Sequence, residues 1–71
     1  MVTDDEIKQA AKEVISYKGY PYSYTEFNFN YHNAISYLQD KGATPEQIQE
    51  FSKLVQAAPI QGGRFNSYSG D

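Results

Sequence analysis

The sequence predicts a small all-α domain of three helices followed by a Gly/Ser-rich C-terminal tail, and three observations predict it. Thr3 precedes Glu6, Ser23 precedes Glu26 and Thr44 precedes Gln47, each by three positions. At that spacing the two side chains satisfy each other's orphan backbone N–H groups and start a helix. Apolar residues then recur after each start at close to a 3.6-residue period. Finally, the chain has 71 residues and no cysteine, so no disulfide or thiolate metal site can staple it and the core must come from packing alone.

The first helix is predicted over about residues 3 to 18. Thr3 is its N-cap, Asp4, Asp5 and Glu6 complement the positive end of its dipole, and Ile7, Ala10, Ala11, Val14, Ile15 and Tyr17 supply the apolar stripe. Three adjacent acids also suit a metal, but their place in a first helical turn already explains them. Gly19 follows as a left-handed stop.

The centre of the chain, YPYSYTEFNFNYHNAISYL from Tyr20 to Leu38, holds most of the aromatic rings and therefore donates most of the core. Two foldings compete for it. In the helical one, spanning about 23 to 41, Ser23 and Glu26 form the capping box, Tyr22 and Phe27 take the staple positions, and Tyr24, Phe27, Tyr31, Ala34, Ile35 and Leu38 share a stripe. In the alternative, an α+β fold, Tyr20, Tyr22 and Tyr24 alternate on one strand and Phe27, Phe29 and Tyr31 on the next, a short aromatic hairpin over 20 to 31. Its turn would be Thr25-Glu26, which offers neither the Gly nor the Asn that tight hairpins need at positive φ. Against the helix stand Asn28, Asn30 and Asn33, weak helix formers. Both foldings keep Tyr31 to Asp40 helical, with Gly42 as the stop.

The third helix, about 44 to 58, carries the clearest signal. Thr44 is the N-cap, Pro45 occupies the favoured first position, Ile48, Phe51, Leu54, Val55 and Ala58 form the stripe, and Pro59 ends it. Residues 1 to 58 thus make the helical domain and 59 to 71 the tail. The tail, PIQGGRFNSYSGD, is too poor in apolar residues to order by itself. Either it folds back on the domain, with Phe65 or Tyr68 covering the aromatic core, or it docks in another chain.

The chemistry on offer is sparse. His32 is the lone histidine, no nucleophile-base spacing appears, Gly62-Gly63 is too short for a phosphate loop, and Glu46 and Glu50 sit on a solvated face. We therefore expect no enzyme, no cofactor and no metal. Nine acidic against six basic residues leave a net charge of −3, which argues against nucleic acid as a partner. Two helices joined through Lys41 to Thr44 do suit a helix-turn-helix, but its recognition helix would present Glu46, Gln47, Gln49 and Glu50 to phosphates. An acidic N-terminus and the lack of any long apolar run point to a cytoplasmic protein, or a virion one if viral, with no membrane contact.

The remaining signal is a surplus of Asn and aromatic residues on the side of the central helix away from its stripe. This pattern points to a non-enzymatic protein-protein interaction module, a small adaptor, inhibitor or assembly or virion component. It would dock on a larger protein or assembly through Phe29, Asn30, His32 and Asn33 and through Arg64, Phe65 and Tyr68 of the tail. The alternatives are a helix-turn-helix-like nucleic-acid binder and an acidic inhibitor of one.

Overall fold

A computed structural model of the chain describes residues 1 to 67. It contains three helices, α1 (Asp4–Ile15), α2 (Tyr24–Asp40) and α3 (Pro45–Ala57). All three begin with the capping boxes expected from the sequence, on Thr3, Ser23 and Thr44. Among the described residues there is no strand, so the aromatic hairpin does not form and Thr25-Glu26 lies in the first turn of α2. The physical reason is the one the turn chemistry implied: Glu26 is worth more as a cap, returning its carboxylate to the Ser23 N–H at 2.9 Å, than in a hairpin turn it does not suit.

The helices run up, down and up. Lys41 at the end of α2 reaches Glu6 at the start of α1. Gln47 at the start of α3 bonds the Val2 carbonyl at 2.7 Å. α2 is bolted to α3 midway, where the Tyr31 hydroxyl meets Ser52 at 2.8 Å and the Tyr31 ring stacks between Phe27 and Phe51. The core comprises Val2, Ile7, Ala11, Val14, Phe27, Leu38, Phe51 and Val55. Phe51, with 0 % of its surface exposed, is its centre. Fully burying each large side chain in that set contributes about 1.5–3 kcal/mol.

α1 ends at Ile15, three residues before the expected stop. Ser16 to Lys18 form a turn that sends the Lys18 ammonium to the end of α3, where it donates to the carbonyls of Val55, Gln56 and Ala58 at 2.8, 3.1 and 2.7 Å. Carbonyls at a helix C-terminus have no partner inside the helix, and a cation there also meets the negative end of the dipole. Pro59 forces Ala58 into extended backbone.

Residues 59 to 67 then fold back on their own domain, the first of the two fates anticipated for the tail. Gln61 forms an isolated parallel bridge with Gly19: its N–H donates to the Lys18 carbonyl and its carbonyl accepts from Tyr20 N–H. Asn66 repeats the arrangement, with its N–H on the Tyr22 carbonyl and its side-chain amide on that of Pro21. Between them Gly62 and Gly63, both at positive φ, turn the chain. Phe65 then covers the core as anticipated, its ring 5.4 Å from Tyr24 and 5.7 Å from Phe27. Tyr68, the other ring proposed for that cover, lies outside the described residues.

Candidate functional site

α2 has two unlike sides because its sequence does. The Phe27, Tyr31 and Leu38 side is buried or half-buried, while Thr25, Phe29, His32, Asn33, Ser36 and Tyr37 face solvent. Phe29, Asn33 and Tyr37 follow at four-residue spacing and so form one ridge along the helix. Phe29 is 65 % exposed and Tyr37 58 %, so this ridge holds two aromatic side chains out in solvent.

Beside the ridge, α1 and α2 leave an open groove of about 280 Å³. Its floor is Ala10, Val14 and Ala34, and Tyr17 and Tyr37 stand at its ends. The groove is open because the seam is built of short side chains: Ala10 faces Ala34, and Asn30 and Asn33 stand where a tightly packed bundle would place Leu or Ile. A shallower depression lined by Glu6, Gln9 and Leu38 continues it, sharing Ala10, Glu13 and Tyr37.

The electrostatics of the groove are one-sided. At one end Glu6 takes the Thr3 N–H at 2.9 Å and the Lys41 ammonium at 3.0 Å. The backbone hydrogen bond from Thr3, reinforced by Lys41, lowers the Glu6 carboxyl to about 2, and the same contact raises Lys41. Lys41 also sits 5.3 Å from the Tyr37 ring centroid, a cation over an aromatic face. In the middle Glu13 lines the wall and makes no ion pair among the described residues. Asn30 commits one side-chain N–H to the Glu26 carbonyl at 2.8 Å, which leaves its amide oxygen and second N–H.

The sequence-derived site residues divide accordingly. Phe29, Asn33 and His32 are exposed on α2, Asn30 is half-buried in the groove wall, and His32 lies edge-on to Tyr31 at 5.5 Å. Arg64 and Phe65 are engaged within the chain, Arg64 over the Tyr20 ring at 4.7 Å and Phe65 on the core. Phe29 and Phe27 are two residues apart on a helix, roughly 200° around it, so the Phe29 side and the Phe65 side face away from each other. Tyr68 lies outside the described residues.

The sequence did not mark Tyr37 or Glu13 as site residues, and it marked Ala10 only as part of the apolar stripe of α1. Tyr37 was findable as the next step of the Phe29–Asn33 ridge. Glu13 and Ala10 required the register of α1 against α2, which no local pattern encodes.

A cavity of about 220 Å³ beneath Tyr24, Phe27 and Tyr31 is bordered by Lys18, whose ammonium is spent on α3. Among the described residues no group of His, Asp and Glu is arranged to hold a metal ion, and no helix is long and apolar enough to cross a membrane. Compared with known protein families, curated proteins and solved structures, the chain matches none.

Proposed function

We propose that this chain is a non-enzymatic protein-interaction module, a small adaptor, inhibitor or assembly component, whose docking face is the Phe29–Asn33–Tyr37 ridge of α2 with Asn30 and His32 at its flanks. The exposure of Phe29 carries this reading. A 71-residue chain has little apolar area to spare for its interior, yet this one leaves a phenylalanine 65 % in solvent beside a groove edged with amides and tyrosines. Aromatic anchors ringed by polar groups are what protein contacts are made of. Arg64 and Phe65 serve the fold in the free chain, where they hold residues 59 to 67 to the domain, and the docking face is therefore placed on α2.

The test is site-specific photo-crosslinking in cells that produce the protein. A photoreactive phenylalanine analogue at position 29 is expected to give a discrete crosslinked product, and the same analogue at Gln49, on the exposed face of α3, none. Absence of product from position 29, with the variant folded by circular dichroism, overturns the reading. A product that is nucleic acid would favour the helix-turn-helix alternative.

A further inference from the structure

Resting on that reading, we infer the chemistry of the partner: the α1/α2 groove takes an amphipathic α-helix of another protein, presenting an apolar stripe to the floor and arginine or lysine to the Glu13 side. The shape favours a helix. From Glu6 to Tyr17 the groove runs about 16 Å, the length of about three helical turns at 1.5 Å per residue. It has no strand edge, so an extended peptide would leave much of its backbone N–H and C=O unpaired, whereas a helix satisfies its own. Ala10, Val14 and Ala34 are small enough to admit side chains from above, as the facing residues of a fourth bundle helix would.

Charge selects the sequence of that helix. Glu13 accepts only, and Asn30, with one N–H bonded to Glu26, keeps its carbonyl oxygen as an acceptor beside its second N–H. The other charges along the groove are Glu6 and the Lys41 that neutralises it, so the lining as a whole is anionic, in a chain of net charge −3. Tyr17 and Tyr37 supply ring faces of the kind on which a guanidinium packs. The chain already makes such a contact, Arg64 over Tyr20. An acidic helix would leave Glu13 without a counter-charge and place its own carboxylates beside it.

Two synthetic 14-residue helical peptides with the same leucine stripe, one flanked by arginine and one by glutamate, test this against the isotope-labelled full chain by NMR titration up to on the order of 1 mM peptide. The arginine peptide is expected to shift the amides of Ala10, Glu13, Asn33 and Tyr37 saturably and to bind more tightly than the glutamate peptide. Glu13→Gln, an exposed site that leaves the fold intact, should weaken the arginine peptide about twofold to fivefold. Glu13→Lys should reverse the preference between the two peptides. Equal binding of both peptides, shifts centred on Tyr20 and Tyr24 instead of the groove, or no binding of either would each overturn the inference. Crosslinking from position 29 with no peptide binding would leave the proposed docking face standing and remove only the basic helix as its occupant.

Discussion

Replacing Gly19 by alanine should cost the protein much of its stability, although the residue is far from the centre of the core. Gly19 has φ +120°, a backbone that L side chains rarely adopt, and a Cβ built there would lie 2.3 Å from the Gln61 carbonyl oxygen and 2.6 Å from the Gln61 nitrogen. Both are backbone atoms and cannot swing aside. The positive φ costs about 1–2 kcal/mol. Separating the two segments also loses the bonds from Gln61 N–H to Lys18 and from Tyr20 N–H to Gln61, about 1 kcal/mol each. Together these come to about 3 kcal/mol, set against about 4–11 kcal/mol for a domain of this length. At about 4–8 °C per kcal/mol the melting temperature should fall by about 15 °C. Gly42→Ala is the control, because Gly42 is also at positive φ, +94°, but has nothing within 4 Å of its Cβ position; it should lose about 5–10 °C. Thermal melts by circular dichroism measure both. If Gly19→Ala melts within about 3 °C of Gly42→Ala, the attachment of residues 59 to 67 does not stabilise the domain as described here.

Three further outcomes follow from the same structure. Lys18→Met keeps the aliphatic stem but strips the ammonium from three α3 carbonyls, and urea denaturation should show a loss of about 1–3 kcal/mol; an unchanged midpoint would mean water caps α3 equally well. Because the Glu6 carboxyl is lowered from 4.5 to about 2, its contribution is present above pH 4.5 and lost as pH falls towards 2, so Glu6→Gln should flatten the stability profile within that window and a variant profile parallel to wild type there would refute it. Phe29→Ala should leave the melting temperature within about 3 °C of wild type, since exposed substitutions away from caps and networks stay within about 0.5 kcal/mol, and a large drop would show that Phe29 belongs to the fold.

Local chemistry made most of the fold legible. The three capping boxes, Pro45 and the stops at Gly42 and Pro59 set the helix boundaries to within three residues. The asparagines of α2 looked unfavourable because such side chains compete for backbone bonds; Asn30 resolves this by bonding the carbonyl four residues back within the helix. The early end of α1 was not legible, because its cause is a lysine reaching carbonyls 37 to 40 positions away. On the site, Phe29 and Asn33 were visible as residues off the apolar stripe, while the groove beside them depends on Ala10 meeting Ala34 across two helices.

The attachment of residues 59 to 67 also ties that segment to the turn that follows α1. Its side-chain bonds from Gln61 to Ser16 and from Asn66 to Pro21 each join residues 45 apart, contacts that the bonds of Lys18 to the end of α3 bring within reach. Because Phe65 of this segment packs on Tyr24 and Phe27 and the Gln61 backbone is bonded to Lys18 and Tyr20, release of the segment and melting of the helices should form one transition. What the segment covers is the aromatic pair Tyr24 and Phe27, so a variant in which it comes away should be more prone to self-association than the wild type.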